Sequence, residues 1–216
     1  MKKKFVSVLL GILGLVVILV LSSCRFDVSA EIYLRDIYDY VTGAAKDFSG
    51  YGIFNAELDR EYYDTYESSV TQIAKKYFSN LGNVRYENSG YTADIEITTN
   101  PKHIFYFTVQ KDGTLALFFN NEKFDALNKE LEQFEENGST YSLSREQMSI
   151  TLTFVNDLKK PIKVVVAGAV YVNNEPCPFS QEFTLKTREK LKITFTDVLR
   201  DYLTKRGSTP ILKIYW

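Results

Sequence analysis

Histidine is all but missing from this 216-residue chain and thiols are scarce: His103 stands alone, and only Cys24 and Cys177 carry sulfhydryls. A single histidine excludes multi-His metal sites and His relays. Two cysteines exclude a disulfide scaffold and a zinc finger. Proline stops at 5 and glycine at 11, against 45% hydrophobic and 25% charged residues, which is the make-up of a folded globular chain. The chain contains no Gly-x-Ser-x-Gly elbow, no phosphate loop, no EF-hand loop, no internal repeat and no low-complexity tract. A formal net charge of −1 provides no basic excess for nucleic acid.

One long apolar run is present, at the start. Lys2, Lys3 and Lys4 precede residues 5–21, which hold only Val, Leu, Ile and Phe apart from Ser7, Gly11 and Gly14. Ser22, Ser23 and Cys24 follow. A cationic start, an apolar middle and small residues before a cut are the three parts of a secretory signal, assigned to residues 1–23. An uncleaved membrane helix is the competing reading, but 17 residues lie at the short end of what crosses ~30 Å of hydrocarbon. The small-small-Cys ending also has no role in a plain anchor.

Leu21-Ser22-Ser23-Cys24 resembles the lipobox of bacterial prolipoproteins. The resemblance implies that the Cys24 thiol receives a diacylglycerol, that the leader is cut just before it, and that the new amino terminus is often acylated. Each buried methylene adds about 0.8 kcal/mol, so two or three chains hold a protein firmly without a spanning helix. Arg25 stands where Asp would resemble the inner-membrane retention signal of many Gram-negative lipoproteins. The resemblance thus implies anchoring outside the cytoplasm, at the outer membrane if the source is Gram-negative. The opening Cys-Arg-Phe-Asp-Val is also similar to a group of uncharacterised bacterial envelope lipoproteins, which brings no activity with it.

Cutting after residue 23 leaves 23 basic and 27 acidic residues. With Cys24 lipidated, Cys177 has no partner for a disulfide, and it reads as a small buried hydrophobe beginning a strand. Phe26, Val28, Ala30 and Ile32 alternate with polar residues almost at once, so a strand starts about two residues from the anchor, without a flexible tether. Residues 45–58 read as a second extended segment and 60–81 as a helix with Tyr63, Tyr66, Val70, Ile73 and Tyr77 on its apolar stripe. Strands 84–87 and 91–98 pair across Asn88-Ser89-Gly90, strands 104–110 and 114–120 across Asp112-Gly113. A second helix spans 122–136.

From Met148 the pattern changes to strands at 149–155, 162–172, 179–186 and 191–196, then a short helix at 197–206 stopped by Gly207 and a last strand from Pro210. The expected fold is therefore α+β: an antiparallel sheet with two amphipathic helices at 24–140, followed at 141–216 by a sandwich-like β-meander. Charge divides similarly, with 11 basic and 20 acidic residues in 24–140 against 12 and 7 in 141–216. In an up-and-down meander alternate turns share an end, gathering Lys159, Lys160, Lys186, Arg188 and Lys190 at one tip and Glu175 at the other. That tip is a candidate surface for anionic headgroups, lipopolysaccharide phosphates or an acidic partner, for docking on the acidic half, or simply a solvated hairpin end.

No catalytic constellation emerges, and neither a cofactor nor a metal is expected. His103 and Cys177 lie 74 positions apart with no motif around either, and His103 reads as a loop histidine after Asn100-Pro101-Lys102. Carboxylates cluster at Glu57, Asp59, Glu61 and Asp64, and at Glu130, Glu132, Glu135 and Glu136, where helix capping and a solvated face explain them. Most of the 15 tyrosines read as core, with Tyr33, Tyr38, Tyr40 and Tyr51 as candidates for a contact surface near the anchor. The expectation is a lipid-anchored envelope protein acting as a non-catalytic binding or structural module, with an envelope protein, anionic lipid or glycan as partner. The rivals are a glycan hydrolase using paired carboxylates ~5–9.5 Å apart and a carrier with a dry pocket of ~300 Å³ or more.

Overall fold

The computed structural model describes residues 24–216 apart from 58–59, 79, 88–89, 134, 137–138 and 141. The expected leader lies outside the described residues. The alternation from Phe26 builds β1, Cys24–Tyr33, which buries Phe26, Val28, Ala30 and Ile32 and leaves Asp27, Ser29 and Glu31 half-buried on its other face. Cys24, the first described residue, is already part of the strand. It runs directly into α1, Leu34–Val41, anchored by buried Leu34 and Ile37. This helix was not expected: eight residues with no capping side chain carry too short a period to read.

The next strand, β2 (Ser49–Glu57), buries Gly50, Gly52, Phe54 and Ala56. Helix α2, Arg60–Tyr77, stops short of the expected residue 81 and presents Val70, Ala74 and Tyr77 to the core. Strands β3, Val84–Glu87, and β4, Gly90–Thr98, pair as expected. So do β5, Phe105–Val109, and β6, Thr114–Phe119, where Gly113 takes φ +84 and a Cβ would overlap the Ile214 carbonyl oxygen. Helix α3, Asn121–Leu131, is capped by the Asn120 side chain, which accepts the Lys123 N–H at 3.1 Å. It ends before the expected residue 136. Glu135–Glu136 instead form β7, paired with β8, Ser139–Thr140, which removes two acids from the negative end of a helix dipole.

Strand β9, Leu143–Val155, starts earlier than expected. The single strand expected at 162–172 is two, β10 (Ile162–Val166) and β11 (Val170–Val172), because the chain reverses at 167–169 with Ala169 at φ +62. Then come β12 (Glu175–Cys177), β13 (Gln181–Leu185) and β14 (Lys190–Phe195). Helix α4, Asp197–Arg206, begins on the Thr196 cap and ends at Gly207, φ +78, as expected, and β15 is Ser208–Tyr215.

The fold is α+β and mostly strand. Its principal sheet has 13 strands in the order β12-β11-β14-β9-β1-β2-β4-β5-β6-β15-β10-β13, with β3 on β4. The expected meander is not formed: β9 pairs with β1 and β14, and β10 with β13 and β15. Strands from 24–140 and 141–216 lie side by side, β1 parallel to β9 and β6 antiparallel to β15. One hydrophobic core spans them. At its centre Phe26 meets Phe54 and Phe124 at 5.7 Å each, Phe54 meets Phe78 at 4.6 Å, and Phe124 meets Phe119 at 5.2 Å. These rings seat α3 and the end of α2 against the sheet. Helix α4 contacts β9 and β14 on one limb and β6 and β15 on the other.

The sheet nearly closes on itself, because its outermost strands β12 and β13 are joined by residues 178–180 alone. There Ala169 N–H donates to the Pro178 carbonyl at 3.2 Å and Ser180 Oγ to Val166 at 3.1 Å. A Cβ on Gly168 would stand 2.9 Å from Phe179 Cα, so only glycine lets the two connections cross. At the other end the link is Asn156, fully buried. Its amide donates to the Lys160 and Leu185 carbonyls at 2.9 and 2.8 Å, and its Oδ1 accepts Leu158 N–H at 3.1 Å. Its backbone bonds Glu189 and Arg188, so one residue joins the ends of β9, β13 and β14. Asn156→Ala strands these groups, one of them deep in the fold, at ~1–3 kcal/mol for a lost partner. Urea unfolding is expected to show a loss of about 2 kcal/mol or more, and a loss below about 0.5 kcal/mol would contradict this role.

Candidate functional site

Two ends of the sheet differ in chemistry. β1 and β9 run in parallel from Cys24 and Leu143 to Tyr33 and Val155. Nine steps of about 3.3 Å put Tyr33 roughly 30 Å from Cys24. Lys190 pairs with Val155, and Leu185 with Ile162, so both neighbouring loops lie at the Tyr33 end. Lys159, Lys160, Lys186, Arg188 and Lys190 are all exposed there and share one end of the sheet, held by Asn156 rather than by a meander. The expected placing of Glu175 at the opposite tip is corrected. β11 runs from Val170 beside Phe195 to Val172 beside Ile193, so the Asn173-Asn174 turn points toward the Lys190 end. The reversal at 167–169 is the cause.

Part of this cationic end is neutralised by the acidic half. Lys190 Nζ lies 2.6 Å from Glu31 Oε2, and the Tyr33 hydroxyl donates to the same carboxylate at 2.7 Å. The Lys190 hydrogen bond first, then that of Tyr33, holds Glu31 below the usual glutamate range, and Glu31 pushes Lys190 up. Arg35 meets Asp157 at 3.4 Å, with its backbone N–H 2.9 Å from Oδ1. Lys159, Lys160, Lys186 and Arg188 have no ion-pair partner among the described residues. Of the tyrosines, Tyr33, Tyr38 and Tyr51 are exposed, whereas Tyr40 packs edge-on against Phe48 at 5.4 Å. They lie at the end away from Cys24, since Tyr51 pairs with Glu31, which corrects the expected location near the anchor.

A groove of about 730 Å³ runs beside the upper parts of β2 and β4, lined among others by Asp47, Lys75, Asn80, Glu96 and His103. A second hollow of about 430 Å³ adds Tyr51, Asn83 and Asp94 and shares Ser49, Asn80 and Glu96 with the first. Asp94 and Glu96 stand two residues apart on one strand face. The Tyr51 hydroxyl donates to Asp94 Oδ1 at 2.8 Å, and Arg85 approaches the same oxygen at 3.4 Å. Those bonds, Tyr51's foremost, keep the Asp94 carboxyl below its ordinary value. Asn80 donates to Glu96, and Thr99 Oγ1 donates to Asp47 at 3.0 Å. His103 is half-buried, and burial pushes its imidazole down toward the neutral form. Its Nδ1 is buried without a partner among the described residues. The sequence reading missed this groove. Only the Asp94–Glu96 alternation hints at it, because the walls meet through the long-range Ser49–Thr98 pairing.

Elsewhere the chemistry is structural. Cys177 is buried at the end of a strand, its Sγ 3.2 Å from the Phe179 carbonyl, and burial raises its thiol. Its contacts are with Phe179 and Gln181, and among the described residues it makes no hydrogen bond to His103. Glu130 accepts from Lys76 and, at 2.6 Å, from the Tyr77 hydroxyl. Of the first carboxylate cluster, Asp59 lies outside the described residues. The apolar crevice between α2, α3 and the sheet holds only about 40 Å³, well short of the ~300 Å³ of a ligand pocket. Among the described residues no group of three His, Cys, Asp or Glu is placed to hold a metal, and no helix is long and apolar enough to cross a membrane.

No curated protein and no solved structure matches the chain. A family model does, that of a domain of unknown function, DUF7424, over residues 26–214. Its match covers both the Cys24-proximal strand and the cationic end, and the chain belongs to that family.

Proposed function

We propose that the protein is a lipid-anchored component of the cell envelope, held by acyl chains on Cys24 outside the cytoplasm and acting as a non-catalytic binding or structural module. In a Gram-negative source the membrane is the outer one. The observation that carries the reading is that Cys24 already lies in β1, paired with Leu143. Lipid on that residue would hold the folded body against the headgroups, since no spacer separates them. The roughly 30 Å rise of β1 would then turn the cationic end away from the anchoring surface, toward an anionic partner presented from the other side.

The rival readings draw less support. A hydrolase needs a carboxylic acid able to give up a proton, and Asp94 is tied into its ionised form by Tyr51 and Arg85. A carrier needs room, and the helix–sheet crevice has almost none.

Cys24→Ser is expected to abolish incorporation of labelled fatty acid and to leave either an uncut precursor or a protein washed from membranes without detergent. Equal labelling of the two proteins would contradict the anchor. For the far end, Lys159→Glu combined with Arg188→Glu is expected to lower the salt needed to elute the protein from phosphocellulose. An unchanged elution position would show that these side chains face no anion.

A further inference from the structure

We propose that the groove along β2 and β4 is a binding site for a neutral saccharide, with the Tyr51 ring as a stacking face, Asp47 and Glu96 as acceptors for sugar hydroxyls, and His103 as a further hydrogen-bonding partner. The inference is independent of lipid anchoring, since it uses neither Cys24 nor the cationic end.

Space comes first. The two hollows, about 730 and 430 Å³, are neighbours that share Ser49, Asn80 and Glu96 in their walls, and ligand sites commonly span ~300–1,000 Å³. The lining chemistry comes next. Apart from Phe48, Phe78, Ile95 and Pro101 it is almost wholly hydroxyl, amide, carboxylate and imidazole. Planar carboxylates and amides can bridge adjacent hydroxyls, as a sugar ring presents them. Tyr51 is 56% exposed, and its hydroxyl is fixed on Asp94, so an apolar ring face is held ready beside these acceptors.

Charge narrows the class. Arg85 offsets Asp94, and Lys75 lines the same groove as Asp47 and Glu96, so two cations offset all but one of the three carboxylates. A polyanion or a polycation would find no complementary field here. Nδ1 of His103 is buried without a hydrogen-bond partner among the described residues, and each ring nitrogen of a neutral imidazole either donates or accepts. A buried polar atom without a partner is unfavourable, and a polyol hydroxyl can either donate to it or accept from it.

The test is titration calorimetry on the full chain in a detergent without a sugar headgroup, using chitotetraose, cellotetraose and maltotetraose as probes. At least one is expected to bind with Kd below about 1 mM, and Tyr51→Ala and Glu96→Gln each to weaken it about tenfold or more. Tyr51→Phe, which keeps the ring, is expected to stay within about threefold, and Lys159→Glu at the cationic end to bind as the parent does. Melting curves accompany each variant, and Glu96→Gln keeps the test readable if Tyr51→Ala unfolds. Failure of all three probes at about 5 mM, or undiminished binding by folded Tyr51→Ala and Glu96→Gln, overturns the proposal. Neither outcome touches the anchoring reading, which fatty-acid labelling alone decides.

Discussion

The parallel pairing of β1 with β9 is the constraint on which the rest of the molecule depends. It joins the first described strand to one more than a hundred residues later, from Cys24 beside Leu143 to Tyr33 beside Val155. Parallel neighbours need a long connection, and here everything from α1 to β8 supplies it. The pairing sets Phe26, Val28, Ala30 and Ile32 in the same layer as Met148, Ile150, Leu152 and Phe154, all buried. A slip of one residue would turn the apolar set of the slipped strand outward while its partner's stayed in the core.

The same register gives the molecule its polarity. Because the two strands point the same way, everything attached to their far ends collects about 30 Å from Cys24: the loops around Asn156, the Glu31–Lys190 pair, and the exposed Tyr33 and Tyr51. The charge asymmetry between the halves of the chain is thus resolved locally. Glu31 and Asp157 each meet a cation from the other half, and the remaining lysines and Arg188 face solvent. Asn156 makes this arrangement durable, since a buried amide with every group bonded leaves the loops one low-energy placement.

Local features were legible in the sequence wherever one short stretch decides the outcome. The period-2 run from Phe26, the turn at Asp112-Gly113 and the span of α4 with its stop at Gly207 all formed where read. What escaped was set by partners far away. The break at 167–169 depends on Pro178 and Phe179 crossing beside Gly168, and that lone glycine in the apolar run is a local signal that does not distinguish a bulge from a reversal. The groove escaped for the same reason: its walls come from β2, β4, the end of α2 and the loop before β5, which only the folded sheet assembles. The cationic cluster was found on a mistaken topology, because loop composition marks sheet ends whatever the strand order.

The most direct test of the β1–β9 register is oxidative cross-linking of paired cysteine substitutions on the outer face. Ser29 stands directly beside Thr151, where neighbouring Cα atoms about 5 Å apart suit a disulfide. Ser29→Cys with Thr151→Cys is expected to link rapidly in the folded protein, and Asp27→Cys with Thr153→Cys, four residues out of step, to stay reduced. Linking of the second pair as fast as the first, or no linking of the first, would contradict the parallel register and with it the opposition of the Cys24 and cationic ends.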